Sequence, residues 1–257
     1  CSQSRGLGDV YKRQIVCGAS KGIGAATAKM LAKAGAKVTA VSRNPHSLVA
    51  ELEGDGHTGI SLDLEDKEAI DNFISTIGEC HILINNAAGP PGGPLLDNEV
   101  EDFEAPFRRH LHASHTLVRG LVPKMETAGM GRIVNIISTS VREPIPNIGL
   151  SNTLRGAMAS WAKSLSRELP TCITINNVLP GFTDTDRLGS LASSINAKTG
   201  KSIDEIHAGW MSQVPIERLI DPLETGAAIA YLCMPISGGI RGAVSYTHLT
   251  LPTNGTV

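Results

Sequence analysis

The residues most suited to chemistry begin at Gly18-Ala19-Ser20-Lys21-Gly22-Ile23-Gly24, a G-x-x-x-G-x-G turn. It follows the apolar run Ile15-Val16-Cys17 and opens an alanine-rich helical stretch from Ala25 to Ala34. Glycine at such a turn lets backbone N–H groups approach a pyrophosphate at the positive end of the helix. Gly18, Ser20, Lys21, Gly22, Ile23 and Gly24 are therefore the candidate phosphate-binding residues. The next apolar run, Lys37 to Val41, leads into Ser42-Arg43. An NAD site usually places an acid there for the ribose 2′-hydroxyl. Arg43 can instead pair with a 2′-phosphate, and Lys21 adds a second positive charge. The expected cofactor is NADP(H).

Other chemistries fit less well. His110, His112 and His115 point to different sides of a helix at ~100° per residue, so no shared metal is expected. The five cysteines include no C-x-x-C pair, which argues against zinc or a disulfide framework and for a reducing cytosol. Asp184 and Asp186 flank Thr185 and read as a solvated loop and a helix cap. A net charge of −2 excludes a nucleic-acid reader that relies on a basic face. The apolar stretches fall short of the ~20 residues that a membrane span needs.

The elements that must position these residues alternate. Strands are expected at Ile15–Cys17, Lys37–Val41, Gly59–Leu62, His81–Ile84, Arg132–Ile137 and Ile173–Leu179. Helices are expected at Ala25–Ala34, at Pro45–Glu53 with Asn44 as N-cap, at Lys67–Ile77, in a long amphipathic run ending near Thr127, at Gly149–Leu169 and at Leu223–Cys233. This alternation predicts an α/β fold, one doubly wound parallel sheet with helices on both faces. No repeat or linker divides it.

Both ends read differently from the interior. Ser4–Gln14 (SRGLGDVYKRQ) and Val244–Thr253 (VSYTHLTLPT) carry no period that continues into their neighbours. Both resemble in-frame translations of sequencing-adapter ends, so residues 1–14 and 244–257 are expected to be artefactual tails around a domain of residues 15–243. The first strand and a C-terminal strand are then truncated. Of the three tyrosines, Tyr11, Tyr231 and Tyr246, only Tyr231 falls within the domain.

CGASKGIG (17–24), LDLED (62–66), NNAAG (85–89), GRIVNIIS (131–138) and NNVLPGFTDT (176–185) together resemble the short-chain dehydrogenase/reductase family, single-domain type, in its 3-oxoacyl-carrier-protein reductase branch. The resemblance implies a Rossmann fold over residues 15–243. It places Asp63 and Leu64 against the adenine, and Asn85, Ala87 and Gly89 beside the adenosine ribose. Pro180, Gly181 and Thr185 fall at the nicotinamide end. The segment from Leu188 to Trp210 resembles the family's substrate-covering loop. A homo-oligomer, dimer or tetramer, acting on a small-molecule substrate in the cytoplasm is implied, with neither nucleic acid nor membrane as partner.

The catalytic positions depart from the pattern. The family's serine is matched by Ser138. Its Tyr-x-x-x-Lys pair falls on Ser151 and Arg155, and its asparagine on His110. Tyr231 cannot substitute, being on a late helix that runs into Pro235. A serine hydroxyl is a far weaker acid than a phenol of pKa ~10, and an arginine above ~12 cannot relay a proton. Arg155 can still clamp a ribose or an oxyanion. His110 is the one neighbour expected to titrate near neutrality, at ~6.5. Two functions follow. One is an NADP(H)-dependent oxidoreductase that reduces a carbonyl or an activated C=C bond of a small or acyl-type substrate through a non-standard proton-transfer site. The alternative is a catalytically weak dinucleotide-binding sensor or scaffold.

Overall fold

Strand β1 (Arg13–Cys17) is buried at four of its five positions, so it belongs in the middle of a sheet and not at its edge. The computed structural model, which describes residues 13–212 and 214–247, places it there. The strands β2 (Lys37–Ser42), β3 (Thr58–Ser61), β4 (Ile82–Asn85), β5 (Gly131–Ile136), β6 (Ile173–Leu179) and β7 (Val244–Tyr246) complete one sheet. Its order is β3-β2-β1-β4-β5-β6-β7, and each neighbouring pair is parallel.

Alternation along the strands divides the core. Val16, Ile82, Ile84, Val134 and Val178 face α1 (Gly22–Lys33) and the late helix Pro222–Cys233. Ile15, Leu83, Ile133 and Ile175 face the helices that supply Ile70, Leu117 and Ala162. Strand order reverses between β1 and β4, and this opens a crevice at their carboxyl ends. The expected doubly wound sheet is found.

Several boundaries differ from expectation. Helix α2 is only His46–Val49, with Pro45 as N-cap and no side-chain cap, so Asn44 does not start it. Helix α3 (Lys67–Thr76) is capped by Asp66, whose carboxylate accepts from Ala69 N at 2.9 Å. The long run ending at Thr127 is broken. A 3₁₀ turn (Val100–Phe103) leads into α4 (Glu104–Phe107), a turn of π-helix (Arg108–His112) and α5 (Ala113–Thr127). Helix α6 (Gly149–Glu168) follows the expected range closely.

The expected covering loop is two helices, α7 (Asp186–Thr199) and α8 (Ile203–Met211). Thr185 caps α7, Gly200 ends it at φ +72°, and a Ser202–Glu205 capping box starts α8. Helix α9 (Pro222–Cys233) closes the helical set.

The sheet also extends past both expected limits. Arg13 and Gln14 pair with Lys37 and Val38, and Val244–Tyr246 pair with Asn177–Leu179. Gln14 is fully buried with neither amide atom hydrogen-bonded, and the buried Tyr246 hydroxyl is also unpartnered. Apart from Thr247, the rest of the expected tails, Tyr11 included, lies outside the described residues. Among those described, no helix is long and apolar enough to cross a membrane.

Candidate active site

The glycine turn closes on itself by backbone contact. A Cβ at Gly24 would lie 2.2 Å from Gly18 O, and one at Gly18 would lie 2.7 Å from Asn86 O. Gly18 also has φ +58°, a left-handed conformation that side chains disfavour. Asn86 fastens the turn to β4 by donating its Nδ2 to Gly18 O at 3.2 Å and Cys17 O at 3.4 Å.

What the turn presents is an open helix end. Lys21 is the N-cap of α1 but makes no side-chain capping bond, and the first turn carries no acid. By contrast, Asp66, Thr185, Ser202 and Asp221 cap α3, α7, α8 and α9 with side-chain oxygens. The first amides of α1 thus lack a side-chain acceptor at the positive end of a helix dipole, the chemistry that holds a phosphate. The residues present fit a dinucleotide.

The other expected cofactor residues border the same crevice from different elements. Ser20 and Lys21 are exposed on the turn, with Ile23 half-buried behind them. Thr185 approaches from across the crevice, its methyl group 3.4 Å from where a Cβ of Gly22 would be. Pro180 is buried and accepts from Thr139 N at 3.3 Å, and Gly181 follows it. Arg43 is exposed at the end of β2, after the buried Ser42. Asp63 accepts from Glu65 N, while Leu64, Asn85 and Ala87 line a small cavity together with His110.

Lys21 has a neighbour across the crevice. Its ammonium lies 3.6 Å from Asp186 at the start of α7, both side chains well exposed. Asp186 stands in the first turn of α7 while Thr185 is the cap, so the expected capping aspartate is a capping threonine.

The expected catalytic residues lie after the carboxyl end of β5 and in the first turns of α6. Ser138 follows β5 and accepts from Ser140 N at 3.1 Å. Ser151 is half-buried in the first turn of α6, and Arg155 lies one turn further on the same face. Arg155 is buried, with Nη1 donating to Ile136 O at 2.9 Å and Nε unpartnered. Burial, with a smaller effect from Arg187, lowers its pKa to about 10, so it stays charged at neutral pH.

His110 does not titrate as expected. It sits buried in the π turn, with Nε2 donating to Ala88 O at 2.9 Å. Desolvation first, then the Arg155 charge, pushes its pKa well below 6.5. It is a neutral hydrogen-bond donor. His112 is exposed, and His115 accepts from Trp161 Nε1 at 3.3 Å.

An open cleft of about 540 Å³ adjoins the serines, lined by Leu95, Ser140, Val141, Ile145 and Asn152 among others. Sequence reasoning missed three contributors. Asn86 holds the turn. Asn135 joins Asn85 and Asn177 in a buried amide ladder at 2.8 and 2.9 Å. Arg187 reaches from α7 to donate to Pro90 O. The first two stand inside the quoted motifs, but Arg187 carried no local signal. Tyr231 is half exposed on α9, and Tyr246 packs against Ile137, Met158 and Leu179.

The short chain dehydrogenase sequence profile matches residues 12–196. The chain belongs to this family. It is 31% identical over 246 residues to the 3-oxoacyl-[acyl-carrier-protein] reductase FabG of Vibrio cholerae, covering 92% of this chain and 96% of the relative. The same reductase of Escherichia coli is 32% identical with the same coverage. Among solved structures, L-sorbose reductase from Gluconobacter frateurii, complexed with NADPH and L-sorbose, superposes with a TM-score of 0.86. That match is at 25% identity and covers 94% of this chain and 97% of the other. Within this short chain dehydrogenase, the glycine turn leads from β1 into α1 at the crevice.

Proposed function

We propose that the protein is an NADP(H)-dependent oxidoreductase that reduces a carbonyl or an activated C=C bond of a small or acyl-type substrate. The observation that carries this reading is the uncapped start of α1 beneath Gly18–Gly24, set beside a buried cation at Arg155. NADP(H) would be held by Gly18, Ser20, Gly22, Ile23 and Gly24 at its pyrophosphate and by Arg43 at its 2′-phosphate, with Lys21 recruited from Asp186. Asp63, Leu64, Asn85, Ala87 and Gly89 would border the adenosine, and Pro180, Gly181 and Thr185 the nicotinamide. The bound cofactor supplies a hydride.

The chain's own residues then have a limited task. Ser138 offers a hydroxyl to the developing oxyanion, and the Arg155 charge stabilises it from within a low-dielectric wall. Neither Ser151 nor Arg155 is a competent acid near neutrality, and His110 donates its one N–H to Ala88. Such a site suits a reaction whose product anion is already delocalised, such as addition to an enone or enoyl thioester, where solvent can supply the proton. The similarity to NADPH-bound L-sorbose reductase and to 3-oxoacyl reductases supports the cofactor and the reaction class. A homo-oligomer in the cytoplasm is part of this reading.

The absence of a neutral-range acid favours one other reading, a dinucleotide-binding sensor or scaffold. Following NADPH oxidation with a panel of ketones and enoyl thioesters decides between them. Turnover of an enoyl thioester supports the enzyme, and tight NADPH binding without turnover of any substrate supports the sensor.

A further inference from the structure

Two guanidinium groups meet at the crevice without a carboxylate between them. From where a Cβ of Gly89 would stand, Arg155 Nη2 is 3.6 Å away and Arg187 Nη2 is 3.8 Å away. They come from different elements, Arg155 from within α6 and Arg187 from the first turn of α7. Each is anchored by a main-chain carbonyl, Arg155 by Ile136 O and Arg187 by Pro90 O. Among the described residues, neither forms an ion pair with an acid, although Arg108, Arg109 and Arg218 all do. The Nε of Arg155 is buried and unpartnered.

Like charges held this close repel, and a buried cation without a counter-ion is costly. A fold keeps such a pair readily when an anion completes it, because charge-assisted bonds from two planar forks match a carboxylate or phosphate. The pyrophosphate already has its partners at the glycine turn, where the amides of α1 are open. The Gly89 position lies on the loop after β4, beside Arg155, and the adenosine ribose that would border it is neutral and leaves the two charges unmatched. A 540 Å³ cleft at the start of the same helix α6, lined by Gly149, Asn152 and Thr153 with Leu95, Val141 and Ile145, offers room for an apolar body.

We propose that Arg155 and Arg187 together bind the carboxylate of an anionic substrate, so that this reductase takes an apolar oxo acid or unsaturated acid in preference to a neutral ketone. Arg187 is the specificity-determining member, since it is exposed at the crevice mouth. Arg155 serves both the carboxylate and the reacting oxygen. The inference rests on the NADP(H) reading above.

The test uses the full chain and begins with NADPH affinity measured by fluorescence, which checks that reading separately. The NADPH-saturated protein is then titrated with 2-oxooctanoate and with its methyl ester, which differ in one charge. The expected result is binding of the acid about tenfold tighter than the ester, in line with one charge-assisted pair. Arg187→Gln should remove most of that difference and leave ester and NADPH affinities unchanged, and Arg187→Lys should restore part of it. Equal affinities for acid and ester in the natural protein overturn the proposal. So does a tenfold loss of NADPH affinity in Arg187→Gln with the acid preference intact, since the oxyanion would then belong to the cofactor.

Discussion

Arg155 donates Nη1 to the carbonyl of Ile136 at 2.9 Å, two residues before Ser138 on the same strand end. The cation is therefore fixed to the sheet, and Ser151 stands half-buried one turn before it on α6. Restoring the family pair by Ser151→Tyr with Arg155→Lys should not raise ketone reduction above that of the natural protein. A phenol forced into this packing costs about 1–3 kcal/mol, and a lysine gives up the fork. NADPH oxidation on one ketone and one enoyl thioester checks it. A ketone rate present only in the double variant would show a lost acid and not a refitted site.

Cofactor choice should depend on Arg43. Because Lys21 is engaged with Asp186 at 3.6 Å, Arg43→Ala should weaken NADPH by about 1–2 kcal/mol after screening of an exposed contact, with little change for NADH. Titrations of both cofactors against both proteins measure this. Unchanged NADPH affinity would assign the 2′-phosphate elsewhere.

Acid should destabilise the protein through His110. Its pKa is depressed by burial and by Arg155 and Arg109, so below about 6.5 the unfolded chain takes up a proton that the folded one refuses. That contribution is intact above pH ~6.5 and falls by about 1.4 kcal/mol per unit as pH drops towards the folded-state value. Denaturant unfolding at pH 7 and 5.5 should show a smaller pH loss for His110→Gln than for the natural protein. Equal losses would remove His110 from the account.

Position 14 should tolerate an apolar residue better than its own glutamine. Both amide atoms of Gln14 are buried without partners in a central strand, and each such atom costs about 1–3 kcal/mol. Gln14→Val should raise the thermal midpoint by several degrees. A lower midpoint would contradict this.

The amide ladder should be worth more than one hydrogen bond. Asn135→Ala strands Asn85 Nδ2 and Asn177 Oδ1 in the core, at about 2–4 kcal/mol. Calorimetry reads the loss, and a change under 1 kcal/mol would mean that the neighbours re-pair.

The sheet was legible because burial on both faces writes near-continuous apolar runs such as Ile173–Leu179, whose limits match the structure. The glycine turn was legible because Gly24 cannot carry a Cβ within 2.2 Å of Gly18 O. Around the altered site the sequence was a weaker guide. A π turn at Arg108–His112 has the same side-chain periodicity cues as the helix around it, so the burial of His110, and with it the loss of its neutral titration, could not be read. Arg187 meets Arg155 only through the tertiary fold. Val244–Tyr246 shows no strand period of its own, yet β6 recruits it by backbone pairing, which is indifferent to side chains.

The strand order has a temporal side. The ribosome makes β1, β2 and β3 with the glycine turn first, while Thr185, Asp186 and Arg187 emerge more than a hundred residues later. The crevice is thus a seam between the early and late portions of the chain, stitched by Lys21–Asp186 on one side and Arg187–Pro90 on the other. The phosphate cradle is fastened once Asn86 has been made, and the far wall of the crevice forms only when α7 follows it. Ligand uptake then reports that the chain has been made at least through α7.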